Sequence, residues 1–248
     1  MKASDLFIQI LENKGVKTIY GVPWEENLDL LESIGKSSIE LILTRNEQTA
    51  VFMAATYGRF TGKAWVALAT LWPWATNMMT GVAYAQLGGM PLIVITGQKP
   101  QNKSKQGAFQ IIDAVSMMKP VTKLTTSIVS WTRIPYILEN AFRIAEEEKP
   151  GAVHLELPED IAWEQVPEEF SIVDLGTLPQ RRPVPDEKSI EILISELEKY
   201  RRPIILVWSG ANRKRVTKYL TKFIEKYNIP YFTSQMGKWV VHGRQQNY

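Results

Sequence analysis

An α/β fold, a doubly wound parallel sheet followed by the beginning of a second α/β unit, is predicted by three features of the 248-residue sequence. Segments with helical spacing alternate with short β-rich runs almost from the first residue, the order expected of a parallel sheet with helices on its faces. Between Lys63 and Lys99 there is no charged residue, as in strands covered on both sides. From about residue 166 to 187 the periodicity fades and prolines gather at 167, 179, 183 and 185, after which the alternation resumes.

Taken in order, Leu6, Phe7, Ile10 and Leu11 form a first apolar helical stripe. Strands are expected at Thr18–Val22, Glu40–Thr44, Trp65–Thr70, Leu92–Gly97, Lys123–Ile128 and Ala152–Leu157. Helices are expected near Glu25–Lys36, Asn46–Gly62, Ala75–Leu87 and Arg133–Glu148. Past the proline-rich stretch, Ser189–Tyr200 and Lys214–Tyr227 read as amphipathic helices, and Ile204–Val207 and Pro230–Ser234 as strands. This divides the chain into a first domain at 1–165, a linker at 166–187 and a second unit at 188–248. Two strands are too few to bury a core, so the second unit is expected to be truncated.

Composition narrows the function classes. A net charge of +3 is too small to argue for nucleic acid. The absence of cysteine excludes disulfides, thiolate chemistry and cysteine zinc sites, and two histidines are a poor basis for a metal site. The uncharged stretch before Lys99 has the length of a membrane span, but Pro73, Asn77, Gln86, the Gly88–Gly89 pair and Pro91 cut it into short pieces, so no membrane is expected. Asp5, Glu12 and Lys14 interrupt the opening stretch, which does not read as an export leader; a cytoplasmic protein is the expectation.

Several ordered blocks carry more information. I-Y-G-V-P-W-E-E-N-L-D-L-L at 19–31 and L-T-R-N-E-Q at 43–48 resemble the opening of thiamine-diphosphate carboligases. M-A-A-T-Y-G-R-F-T-G-K at 53–63, A-T-L-W-P-W-A-T-N at 69–77, G-V-A-Y-A-Q-L-G-G-M-P-L at 81–92 and I-T-G-Q-K-P at 95–100 are similar to acetolactate synthase large subunits in particular. So are K-Q-G-A-F-Q at 105–110 and P-G-A-V-H-L-E-L-P-E-D at 150–160, and the likeness runs over nearly the whole chain.

The resemblance implies a thiamine-diphosphate-binding fold whose first domain takes the aminopyrimidine ring, followed by a Rossmann-like middle domain. It implies that Glu47 contacts that ring. A carboxyl at one ring nitrogen lets the opposite amino group act as a base on the thiazolium proton, and the ionised carbon then attacks a 2-keto acid. Decarboxylation of pyruvate and addition to a second pyruvate would give 2-acetolactate, the carboligation that serves branched-chain amino-acid biosynthesis. The family usually has histidine where Asn46 stands, which removes any proton relay through that ring. Pro23, Trp24, Pro73, Trp74 and Asn77 fall on the cofactor side; Phe109, Gln110 and Pro100 match positions facing the reacting centre, and Gln98 opens the loop after a central strand. Read without the resemblance, Glu47 is a solvated acid at a helix start, Pro73 and Asn77 form a turn with a cap, and Phe109–Gln110 is a core aromatic beside a surface amide.

The resemblance further implies Mg²⁺ on a diphosphate-binding domain that this sequence lacks, so the chain by itself is expected to be inactive, and a homodimer or tetramer with a cofactor shared between subunits, with a regulatory small subunit as a further partner. FAD is compatible with V-W-S-G-A-N-R at 207–213, where Gly210 would let backbone approach a phosphate, although Glu159 stands where many FAD-dependent members have lysine. Rival readings are a glyoxylate carboligase, a sulfoacetaldehyde acetyltransferase, or a non-catalytic homologue.

Seven of the eight tryptophans, at 24, 65, 72, 74, 131, 208 and 239, stand where the family pattern has glycine. Glycine serves positions that need positive φ or close backbone approach, and an indole there adds a β-carbon and a large ring. One origin accounts for all seven: UGA codons that mean glycine in the source lineage, read as tryptophan. Tryptophan at 24, 72 and 74 is expected to crowd the cofactor side.

Overall fold

The computed structural model describes residues 1–101, 109–170 and 183–241. Chain contacts divide it into two units, Met1–Gln180 and Arg181–Tyr248.

The first unit is a six-stranded sheet in the order β2-β1-β3-β4-β6-β5, every pair parallel. Its strands are β1 (Thr18–Gly21), β2 (Glu40–Leu43), β3 (Trp65–Ala69), β4 (Leu92–Gln98), β5 (Leu124–Ser127) and β6 (Ala152–Pro158). Between and around them run α1 (Ala3–Asn13), α2 (Leu28–Gly35), α3 (Glu47–Thr61), α4 (Trp74–Gly88), α5 (Ala114–Met118), α6 (Ile134–Glu146) and α7 (Glu159–Trp163). All six expected strands form, each displaced at its ends by no more than a residue or two. The expected helix at 25–36 is in fact a 3₁₀ turn, Glu25–Asn27, leading into α2. The two five-residue helices α5 and α7 were not foreseen.

Strand alternation distributes the core. Val66, Leu68, Ile93, Ile95, Val153 and Leu155 point to one face and share a core with Leu6, Phe7, Leu11, Leu30, Ile34, Leu138 and Phe142 of α1, α2 and α6. The intervening residues Ala67, Ala69, Val94 and His154 belong to the opposite face, the side of α3, α4 and α5. Against it α3 and α4 lie close together. A β-carbon on Gly81 of α4 would come within 2.7 Å of Val51 of α3, so this crossing requires glycine. Helix ends follow local chemistry: the Asp5 carboxylate accepts from the Lys2 N–H at 2.9 Å, and Gly62 and Gly89 close α3 and α4 at φ +74° and +64°.

The second unit contains α8 (Glu187–Lys199), β7 (Ile205–Val207), α9 (Lys214–Tyr227) and β8 (Tyr231–Thr233), with β7 and β8 parallel. Two strands were expected to be too few to bury a core of their own, and the small core formed by Val207, Ile224, Tyr231, Val240 and Val241 draws on more than the strands. Ile224 of α9 and the segment after β8 supply the cover that the strands alone lack. α8 buries none of its residues, and Ile192, Leu193 and Ile194 stay exposed. Among the described residues no helix is long and apolar enough to cross a membrane.

Candidate active site at the carboxyl edge of the sheet

In a parallel α/β sheet, loops at the carboxyl ends of the strands converge where the strand order reverses. Here the chain leaves β1 for β2 on one side and crosses back to β3 on the other, so the turns after β1 and β3 flank that point. Pro23 and Trp24 follow β1, Glu47 follows β2, Pro73, Trp74 and Asn77 follow β3, and Pro100 follows β4.

Glu47 is the first residue of α3. Its N-cap, Asn46, accepts the Gln48 N–H at 2.8 Å, and Thr44 Oγ1 donates to the Asn46 carbonyl at 3.0 Å. The helix dipole favours an anion at this position. Glu47 is only 5 % exposed, so it is not the solvated acid of the simplest sequence reading. Asn77 Nδ2, in the first turn of α4, donates to Glu47 Oε2 at 2.9 Å. Oε1 has no hydrogen bond within the described residues. Two residues 30 apart in sequence are thus joined, and a buried carboxylate is oriented with one oxygen left for a donor from outside.

The same turn of α4 carries Trp74, whose ring stacks on Trp24 with centroids 5.1 Å apart. The stack brings the turns after β1 and β3 together, and Asn27 Nδ2 fastens them by donating to the Ala69 carbonyl at 2.9 Å. Gly97 permits this, since a β-carbon there would meet Asn27 Oδ1 at 2.7 Å. Trp24 is about half exposed, as is Trp72 beside Pro73.

Other expected residues fall differently. Gln98 does not open a loop: pairing of β4 with β6 continues to Gln98 opposite Pro158, and the side chain is buried. Its Nε2 donates to Glu156 Oε2 at 3.1 Å. Phe109 is 81 % exposed and therefore no core aromatic, and Gln110 has φ +61°. Neither makes a hydrogen bond to Glu47 or Asn77 among the described residues. The part of the 105–110 block before Phe109 lies outside the described residues. Glu159 forms an ion pair with Lys99 at 3.4 Å, and Lys99 also reaches Glu26 at 2.7 Å and Glu25 at 4.0 Å. This cluster went unnoticed in the sequence, where four charges scattered from 25 to 159 look solvated. Burial works against the Lys99 ammonium, but its hydrogen bond to Glu26 and the charges of Glu26, Glu159 and Glu25 outweigh that and hold its pKa above the ordinary lysine value.

A buried, oriented carboxylate with a free oxygen fits the donor edge of a nitrogen heterocycle. Among the described residues no group of three or more histidines, aspartates or glutamates could hold a metal ion.

The parallel sheet with its switch point and buried glutamate defines a doubly wound α/β domain with a ligand cleft at the carboxyl edge, and comparison with known families says which. Residues 1–117 match "Thiamine pyrophosphate enzyme, N-terminal TPP binding domain" and residues 190–248 match the central domain of the same enzymes, so the chain belongs to the thiamine pyrophosphate enzyme family. Among curated proteins it is similar to a probable acetolactate synthase large subunit of Methanocaldococcus jannaschii, 35% identical over 244 residues, covering 96% of this chain and 41% of that protein. A protein of the same description from Methanococcus aeolicus is 33% identical over 245 residues, covering 96% and 40%. The chloroplastic acetolactate synthase of Arabidopsis thaliana is 32% identical over 239 residues, covering 95% and 35%. The chain spans about two fifths of the length of the curated relatives it matches.

Proposed function

We propose that this chain is the ring-binding part of an enzyme that joins two pyruvates to 2-acetolactate with loss of CO2. The observation that carries the reading is the buried Glu47 carboxylate at the start of α3, held by Asn77 and with Oε1 unbonded among the described residues. Thiamine diphosphate, when bound, supplies the electron sink for decarboxylating a 2-keto acid and passing on its two-carbon unit. Glu47 Oε1 would hold a proton at a ring nitrogen and so set the basicity of the amino group opposite. Asn77 keeps the carboxylate in the rotamer that presents Oε1. Pro23, Pro73 and the backbone around Trp24 and Trp74 form the wall beside the ring. Pro100, Phe109 and Gln110 stand on the side where the 2-keto acid enters, with Gln110 placing a polar group near the reacting carbon.

The remainder of the assembly belongs to the same proposal: Mg²⁺ held by a diphosphate-binding domain elsewhere in a longer protein, a homodimer or tetramer as the active unit, and a regulatory small subunit. FAD in the second unit, at the 207–213 turn, belongs to it as well. The Trp24–Trp74 stack favours a second reading, a homologue whose ring pocket is narrowed and whose role is not catalytic.

The test is acetolactate formation by the full-length protein from pyruvate with thiamine diphosphate and Mg²⁺. Turnover that falls about 10²-fold or more in Glu47→Gln is the expected result. Turnover of glyoxylate or sulfoacetaldehyde in place of pyruvate would select a rival carboligase, and no turnover of any of the three would select the non-catalytic reading.

A further inference from the structure

Behind the segment that carries Gln110 lies a buried polar link built from strands β4, β5 and β6. Gln98, the last residue of β4, is 5 % exposed and uses every polar atom of its side chain inward. Nε2 donates to Glu156 Oε2 at 3.1 Å and to the Ile112 carbonyl at 3.3 Å, while Oε1 accepts the Lys99 N–H at 3.0 Å. Glu156, on β6, is 7 % exposed and stands opposite Ser127 at the end of β5. Burial first, and the neighbouring charge of Asp113 in addition, push its carboxyl above the usual range, against the hydrogen bond from Gln98 and the Ser127 side chain.

The Ile112 carbonyl is where this link leaves the sheet. It lies two residues after Gln110, whose φ of +61° marks a sharp reversal of the chain, and one before Asp113, which caps α5 by accepting the Ser116 N–H at 2.8 Å. A residue in the left-handed region keeps that conformation only when its surroundings hold it. Among the described residues, the hydrogen bond that ties Ile112 to the sheet edge comes from Gln98, and Gln98 is itself held by Glu156.

We propose that Gln98 and Glu156 are positioning residues that fix the 110–113 turn and with it the direction in which Gln110 enters the site. The inference rests on the proposed reading of Gln110 as facing the reacting carbon. Neither residue touches the reacting atoms; both act through Ile112.

Two measurements decide it. In the 248-residue chain, hydrogen exchange of amides 110–116 should quicken about tenfold in Gln98→Leu and Glu156→Leu, while α3 and α4 exchange as before. Glu156→Gln, which keeps a planar acceptor of the same size, should restore exchange to within about twofold of the parent. Gln98→Asn, too short to reach both acceptors, serves where the leucine variants fail to fold, and should behave as they do. In the full-length enzyme the Leu and Asn variants should lose about tenfold in kcat with KM for pyruvate and thiamine-diphosphate affinity nearly unchanged. Unchanged exchange at 110–116, or quickening spread equally over β4 and β6, or no rescue by Glu156→Gln, overturns the proposal. A parent enzyme that makes no acetolactate overturns the proposed function instead, and the exchange measurement still decides the role of Gln98 and Glu156.

Discussion

Asn77 donates to the Glu47 carboxylate at 2.9 Å, joining the first turn of α4 to the first residue of α3. The bond makes Asn77 the orienting partner of the proposed ring contact, and its replacements should differ in a specific order. Asn77→Ala frees the carboxylate and should weaken thiamine-diphosphate binding several-fold. Asn77→Asp places a second carboxyl against Glu47, so that the pair holds one proton and repels when both ionise. Calorimetric titration of the full-length protein should find the aspartate variant the weaker binder, with a deficit that grows as pH rises from 5 to 8. Equal affinities for both variants and the parent would remove Asn77 from the site.

His154 offers a stability test independent of function. It is wholly buried on β6 between two hydroxyls, Nε2 at 2.8 Å from Thr96 Oγ1 and Nδ1 at 2.7 Å from Thr125 Oγ1. Burial lowers its pKa from 6.5 to about 3, so the ring is neutral in the folded chain. The unfolded chain binds the extra proton below about 6.5, hence stability is intact above that pH and is lost as pH falls towards 3. Across pH 6 to 4 the parent should lose about 1.4 kcal/mol per unit more than His154→Leu, measured by urea unfolding. Parallel pH profiles for the two would contradict the assignment.

Lys99 is the only cation within reach of Glu26, whose side chain is 1 % exposed, among the ion pairs of the described residues. Lys99→Met leaves Glu25, Glu26 and Glu159 facing one another and should cost about 2 kcal/mol at neutral pH, less than a fully buried pair because Lys99 is itself 23 % exposed. Adding Glu26→Gln should recover most of that loss, and the two changes should be clearly non-additive in a double-mutant cycle. A recovery smaller than experimental error would mean that the cluster is held by its surroundings and not by its charges.

The tryptophans lead to a prediction about the gene and one about the protein. Trp239 sits at φ +70° with 83 % of its surface exposed, a left-handed backbone with no packing to offset it. Trp65 is buried in β3 with an indole N–H that has no acceptor, although its ring lies 4.0 Å from that of Tyr57. Both fit positions meant for glycine. We expect UGA at all seven codons, and UGG at them would end the idea. Trp239→Gly should stabilise the second unit by about 0.5–1 kcal/mol, the left-handed cost of an L-residue less the entropy that glycine loses on folding.

How much of this was legible beforehand varied with the range of the interaction. The six strands could be read because β-rich runs bounded by turn residues are local signals, and α3 and α4 because long periodic segments outweigh noise. α5 and α7, five residues each, carry no measurable period; α5 owes its start to the cap of Asp113 and packs on β5 and β6, and α7 packs on β6, α1 and α2. Gln98 was misread because a strand ends where its partner stops, and the partner, β6, lies over fifty residues away. Glu47 and Asn77 were each singled out, yet nothing local announced that they bond to each other.

From residue order alone came the class of fold, the place of the connector, the family likeness and the glutamate at the start of α3. These depend on neighbours within a turn or a strand, or on ordered blocks that stand unchanged in the sequence. Tertiary structure alone decided which oxygen of Glu47 is left free, that Trp24 stacks on Trp74, that Lys99 gathers three carboxylates, and that Gln98 faces inward to Glu156. Such choices belong to burial and hydrogen bonding between strands far apart along the chain, where the cost of an unpaired polar group, and not any local preference, selects the partner.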